Sequence, residues 1–316
     1  MRARSLLLFG LCCVGLIAAA PWAGPALDGD NARFILTSLR LPRVALAALA
    51  GGSLAAAGAA FQILLQNPLA SPSTIGTTAG AALGALALLV LAPAAASPTG
   101  LVVAAFAGAA AVSTAITAAA ASRRLRAGDL ILAGVALTVA AGAVATGLQL
   151  RADAAATVAA VRWSLGSVVT VGMAKPAALA PIAAVAIGWL TLRGRALQTL
   201  AAGPERAASQ GVDLVRLRVE VLAAGSLAVA GAVAFAGPIA FVCLIVPHLV
   251  RLTLHPPVRW LAPLSAIGGA AFLVAADAGA RLMLPDLELP VGVVTAALGA
   301  PTLILLLWRN RSRQPH

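Results

Sequence analysis

The chain has 316 residues, of which 61% are apolar and only 10% charged, and its mean hydropathy is +0.99. A soluble fold of this composition would lack the polar residues to cover its surface, which excludes a water-soluble enzyme or binding domain and leaves a polytopic membrane protein. The formal charge of +12 would point to nucleic acid in a soluble protein, but retention of Lys and Arg on the cytoplasmic side of a membrane accounts for nearly all of it.

Long apolar runs without period-2 alternation mean helices, because in lipid only helices and closed barrels satisfy their own backbone hydrogen bonds. Ten spans are predicted, the first over residues 5–22. Arg2, Arg4 and the alanines 18–20 imitate a secretory signal there, but the many spans that follow favour a retained helix. Cys12 and Cys13 in this run, and Cys243 further on, have no metal spacing and read as small apolar fillers.

The second and third spans are residues 43–65 and 74–92. Gly51, Gly52 and Gly58 in one, and Gly76, Gly80 and Gly84 at intervals of four in the other, allow helices to approach closely. Spans follow at 100–121 and 129–150, separated by S-R-R-L-R-A-G-D, whose Arg123, Arg124 and Arg126 serve as a positive anchor. A sixth span covers 176–193. Residues 194–218 then read as two short helices broken at Gly203-Pro204, the second opening with Glu205 and stopping at Gly211. Such a charged pair is either an ordinary solvated loop or a lever that docks on another protein.

The last four spans are 219–236, 239–253, 261–283 and 290–308. The run 239–253 is short and bracketed by Pro238 and Pro247, so a broken or partly inserted helix is expected. Placing both termini in the cytoplasm puts fifteen of the twenty-two basic residues inside, with Arg33, Arg40, Arg43, Arg151, Arg162, Lys175 and Arg281 outside.

Asp277 and Arg281 form an i, i+4 pair within the ninth span, where unpaired ions are costly, so the pair is functional or a local salt bridge fixing the helix. His248 and Arg251 share one face of the eighth. With three histidines and no H-E-x-x-H, neither a metal site nor a hydrolase finds its partners, and no catalytic residue is assigned. Gln62, Gln66, Asn67, Thr138 and Gln149 are the neutral polar groups expected to face a central cavity or to bond to neighbouring helices. Lys175 lies outside any P-loop, so the chain cannot bind ATP in that manner. No set of midspan carboxylates forms a proton relay, which makes a secondary transporter the second reading.

Three blocks carry a resemblance to a known family. Residues 40–84 join R-L-P-R, a small-residue helix ending in Gln-Asn-Pro and a glycine-spaced helix. Residues 207–212 partly match a small-residue and Leu-Gly-Val pattern, with Gln210 in place of the usual leucine. G-P-I-A-F-V-C-L-I-V-P-H-L-V-R-L at 237–252, A-D-A-G-A-R-L at 276–282 and L-P-V-G-V-V-T-A-A-L-G-A-P at 289–301 form the third, with Cys243 where glycine is common. Together they resemble the permease subunits of bacterial FecCD-type (type II) ABC importers for iron-siderophores, haem and vitamin B12.

The resemblance implies one all-α permease domain over residues 1–316, a ten-helix bundle like that of the vitamin B12 importer permease, in the bacterial inner membrane. It implies two cytoplasmic ATP-binding subunits that hold the ATP and Mg, a second permease chain, identical or related, and an extracytoplasmic substrate-binding protein. No cofactor, metal or nucleic acid would bind this chain. The coupling contact falls on Glu205, Arg206, Ala207, Ser209, Gly211 and Val212. The binding protein docks on Arg40, Arg43 and Arg281. Ala127 and Gly128 are gate candidates, while Pro247, His248, Arg251 and Asp277 are structural or interface residues. Iron(III)-siderophore import, the commonest role among similar proteins, is the expected activity, with haem or vitamin B12 as alternatives.

Overall fold

The computed structural model describes residues 3–24, 31–122, 127–283 and 289–311, and among these it contains helices and no strand. Helix α1 is Ala3–Ala19. Helix α2 runs without a break over Ala32–Leu64. Its one irregularity is a wider π turn at Ile35–Arg40, next to Pro42, which has no N–H to continue the regular ladder. Helix α3 is Thr77–Leu91, and the left-handed Gly76 (φ 86°) turns the chain into it. Helix α4, Pro98–Ala120, has proline at its first position, and the Ser97 hydroxyl accepts the Gly100 N–H at 3.0 Å. Helix α5 is Ala127–Gln149.

A short helix α6, Ala154–Ser164, follows, capped by Asp153, whose carboxylate accepts the Ala156 N–H at 2.7 Å. The apolar-run reading passed over it, because with Arg162 inside it is too short and too polar to register as a span. Helix α7 is Ala174–Leu192. The two short helices expected next are present as α8, Gly194–Ala201, and α9, Pro204–Ser209, broken at Gly203 (φ 117°). Helix α10 is Leu214–Ala236, α11 Val242–Leu254, α12 Leu261–Met283 and α13 Val291–Arg311.

Among the described residues seven helices are long and apolar enough to cross a membrane, and the shorter apolar helices α3, α11 and the first part of α13 occupy the other three predicted runs. Thirteen residues give α11 a length of about 20 Å against a hydrocarbon core of about 30 Å. Of the two alternatives expected for this run, the short helix is observed and the break is not. Pro247 lies inside α11 and does not end it, and the helix continues to Leu254. Arg123, Arg124 and Arg126 lie outside the described residues.

Helix α2 is the centre of the bundle, packed against α12, α10, α7 and α11, and 83% of its most apolar stretch is buried. Small residues make this possible. A Cβ on Gly51 would stand 2.2 Å from the Gly269 carbonyl oxygen of α12, and one on Gly58 would stand 2.1 Å from the Cys243 carbonyl oxygen of α11. Backbone meets backbone at both crossings, which gains dispersion contacts that lipid cannot outcompete.

Gly58→Val should therefore cost at least about 3 kcal/mol by overpacking. Gly15→Ala on the open side of α1, where a Cβ meets nothing within 4 Å, should be neutral or stabilising by up to about 1 kcal/mol. Thermal melts of the two variants in detergent should separate clearly. Coincident melts would show that the α2–α11 contact is looser than it stands here.

Candidate functional site

At one end of the bundle, α2 and α12 are joined by an ion pair between residues 234 apart. The Arg43 Nε donates to both Asp277 carboxylate oxygens at 2.9 and 3.0 Å, and its Nη2 lies 2.8 Å from Oδ1. The i, i+4 partner expected from sequence is present but longer, with Arg281 Nε 3.3 Å from Asp277 Oδ2. The Asp277 side chain is only 1% exposed, so an ionised carboxylate there depends on these guanidiniums. Arg281 also donates to the Ala23 and Ala20 carbonyls at 2.9 and 3.0 Å, and Arg40 donates to the Pro21 carbonyl at 3.2 Å.

The three arginines expected to form one outward surface are thus brought together but turned inward. The Arg43 and Arg281 side chains are 11% and 12% exposed, and Arg40 is buried. Sequence reasoning missed the Arg43–Asp277 bond because the nearer Arg281 already satisfied the local pattern.

The α8–α9 pair stands at the foot of α2 and against residues 258–260. Leu197, Leu200 and Ala207 are buried and hold it to the bundle, whereas Glu205, Arg206, Ser209 and Gly211 are exposed and Val212 is half-buried. Its entry and exit are clamped by Glu220 of α10. The carboxylate takes Arg193 at 2.6 and 2.8 Å and Arg216 at 2.9 Å. Two basic residues bracketing one acid make the base of the helix pair stiffer than a solvated loop would be.

The residues expected to line one path do not share one. Gln62 is buried. Its amide donates to the Cys243 carbonyl at 3.1 Å, and its oxygen accepts from Arg251, so both side chains tie α2 to α11 and neither faces a channel. Packing wins at this position because Pro247, four residues after Cys243, has no N–H to bond the Cys243 carbonyl and leaves it for the Gln62 amide. His248 is half-buried on the same helix. Gln66 is exposed in a left-handed turn (φ 48°), and Asn67 accepts the Leu69 N–H at 2.9 Å, which closes the end of α2. Thr138 donates to the Ser73 and Gly134 carbonyls at 3.1 and 2.8 Å and fixes the α2–α3 connection to α5. Ala127 and Gly128 open α5 and Gln149 closes it, so they stand about 30 Å apart along the helix.

The space lies elsewhere. A cavity of about 510 Å³ is bounded by Leu54, by Ser71, Ser73 and Thr78 on one side, and by Pro238–Phe241, Leu244, Val293 and Ala296 on the other. Its wall is mostly carbon with a few hydroxyls. Most of its residues lie in the blocks 40–84, 237–252 and 289–301 that carry the family resemblance, but no linear pattern says that the three blocks enclose one space. Among the described residues no three His, Cys, Asp or Glu side chains group as a metal site would require.

Residues 6–309 match the model of the FecCD transport family. The chain is 40% identical over 311 residues, covering 97% of its length and 94% of its relative's, to the vitamin B12 import system permease protein BtuC of Vibrio cholerae. It is also 40% identical over 288 residues to the cobalamin import system permease protein BtuC of Halobacterium salinarum, covering 90% of this chain and 77% of that one. A solved structure of a metal-chelate type ABC transporter in an inward-facing conformation superposes with a TM-score of 0.87, at 26% identity, over 96% of this chain and 98% of that one.

The buried ion pair makes a sharp demand. Arg43→Gln should lower stability by about 3 kcal/mol, because Asp277 then keeps only its longer contact to Arg281. Arg43→Lys, which keeps the charge and loses the fork, should fall between the variant and the parent. Melting in detergent checks both, and equal melting temperatures for all three would remove the pair from the account of the fold.

Proposed function

The chain belongs to the FecCD transport family, and from that membership we propose that it carries a cobalamin-class metal chelate across the membrane. As a permease subunit of an ABC importer it is itself no enzyme. The relatives reported above at 40% identity, named for vitamin B12 and cobalamin import, support the corrinoid over the iron(III)-siderophore expected from sequence. That substrate is part of the proposal, as are the partners below.

The observation that carries the coupling assignment is a polar helix pair held to the bundle by its buried leucines while its charged side is presented to solution. In this reading α8–α9 seats in a separate ATPase subunit, which supplies ATP and Mg. The ATPase subunits are two, and the permease pairs with a second permease chain. A soluble binding protein delivers substrate at the opposite end of α2, where Asp277 and the carbonyls of residues 20–23 hold Arg40, Arg43 and Arg281 in position. The positive-inside count supports a cytoplasmic position for α8–α9.

The cavity beside Phe241 is this chain's share of the path. At about 510 Å³ it suits a drug-sized ligand, so a larger chelate needs the matching space of a second chain. A smooth, largely apolar wall suits passage, since tight contacts would retain the cargo.

Reconstituted with its ATPase and binding protein, the complex should accumulate cyanocobalamin in preference to a ferric siderophore under ATP. Uptake of the siderophore alone would overturn the substrate assignment while leaving the family intact. Ala296→Trp should fill the cavity and reduce uptake by more than tenfold, with assembly unchanged. Full uptake through that variant would place the path elsewhere. Reversal of both charges, Glu205→Arg with Arg206→Glu, should release the ATPase during purification, and retained ATPase would sink the coupling assignment.

A further inference from the structure

A cluster of arginine and tryptophan from three elements lies beside the coupling helices and is not used by the transport path. The last turn of α7 carries Trp189 and Leu192, 41% and 75% exposed, and the chain then passes through Arg193 into α8. The Arg193 guanidinium lies 5.2 Å from the centre of the Trp189 ring and is neutralised by Glu220. At the next residue the backbone of α8 touches the turn before α12. A Cβ on Gly194 would stand 2.5 Å from the Arg259 carbonyl oxygen, and the Arg259 N–H points to the Gln198 side-chain oxygen at 3.4 Å.

This contact sets the backbones of Arg195 and Arg259 side by side. Both side chains are exposed, and among the described residues neither has a carboxylate partner. Trp260, 46% exposed, sits immediately beyond. Helices α7 and α12 touch, and their outer faces present Val185 and Ile267, 63% and 43% exposed.

Two exposed arginines are therefore anchored where the exposed apolar residues of α7 and α12 and two tryptophans come together in the chain. Tryptophan at that level sits at the boundary between hydrocarbon and headgroups, and arginine offers a planar fork to phosphate oxygens. An ordinary positive anchor would need only the charges. Here the backbone contact at Gly194 holds the two arginine-bearing segments together, and the exposed Trp189, Leu192 and Trp260 lie within six residues of them along the chain.

We propose that Arg195 and Arg259 bind the phosphate of an anionic phospholipid in the leaflet at the α8–α9 end, with its acyl chains lying along Val185, Leu192, Trp260 and Ile267. Arg193 is not the ligand, since Glu220 already holds it; its stacking fixes the Trp189 ring as a wall. Because α8 begins at this site, an occupied headgroup position would brace the base of the coupling pair. The proposal requires only a membrane-spanning chain and stands independently of the cobalamin reading.

The test is native mass spectrometry of the purified full-length chain in detergent, titrated separately with dioleoyl-phosphatidylglycerol and dioleoyl-phosphatidylcholine. Phosphatidylglycerol should bind more tightly. Arg195→Gln with Arg259→Gln should weaken it by about thirtyfold and leave phosphatidylcholine unchanged, at the strength expected for two basic residues near an anionic surface. Arg195→Lys with Arg259→Lys should keep most of the preference, and an unchanged melting temperature in the glutamine variant separates site loss from misfolding. Inorganic phosphate at equal concentration should not displace the lipid. Equal phosphatidylglycerol binding by the parent and the glutamine variant would overturn the proposal, as would displacement by phosphate. Loss of the ATPase from the glutamine variant with lipid binding intact would assign the two arginines to the ATPase surface instead.

Discussion

Everything in this bundle depends on how closely other backbones can approach α2. Inside a bilayer, burying a leucine against another leucine gains little over burying it against lipid, so association must come from dispersion at short range and from polar groups with nowhere else to bond. The chain meets this condition by making α2 narrow. Over Leu54–Ala60 every residue is alanine, glycine or leucine, and almost no surface remains. The glycine crossings with α11 and α12 bring carbonyl oxygens to within about an atom's radius of where a side chain would begin. The polar links are sited near the two ends of the same helix, Arg43 with Asp277 at one and Gln62 with Arg251 at the other.

That arrangement has a mechanical consequence. Helix α2 is a continuous rod of 33 residues, about 50 Å long, buried for most of its length. Its first turns are locked to α12 and to the chain after α1, and its foot is locked to α11 and packed against α8. A displacement of α8 reaches the arginine end through a single stiff element with no hinge in it. The π turn at Ile35–Arg40 is the one softer place, and it lies beside the arginines themselves.

The sequence discloses the architecture readily, and discloses the site only in part. Helix positions followed from apolar runs because lipid enforces the same rule on every span, and the Gly203 break between α8 and α9 followed from local backbone chemistry. Helix α6 escaped because a capped, eleven-residue helix carrying Arg162 has no such rule to obey. Arg43 and Asp277 are individually conspicuous, yet nothing in a linear pattern says that residues 234 apart share a hydrogen bond when Arg281 offers a nearer partner. For Gln62 the sequence leaves a cavity-facing and a packing role open. The deciding fact was the location of the Cys243 carbonyl, which is a property of the folded chain.

The cavity arises where helices stop. Helix α10 ends at Gly237, α11 begins after Phe241, α6 gives way at Leu165, and α13 begins at Val291, all around the same space. Broken helices expose N–H and C=O groups that hydrocarbon cannot satisfy, so such breaks persist only where protein or a polar cavity serves them. Cross-links between the broken ends do part of this here: Ser167 donates to the Ala236 carbonyl at 2.7 Å and Gly292 to that of Gly166 at 3.3 Å. Phe241 holds a left-handed conformation (φ 67°) that a bulky residue adopts only when its surroundings impose it, and its ring fills the notch at Gly299. Ser71, Ser73 and Thr78 line the same space, and the Ser71 and Ser73 hydroxyls bond each other at 2.7 Å. A space bounded by helix ends and small side chains can change shape through motion at a few turns, whereas one bounded by intact helices would require the whole bundle to move.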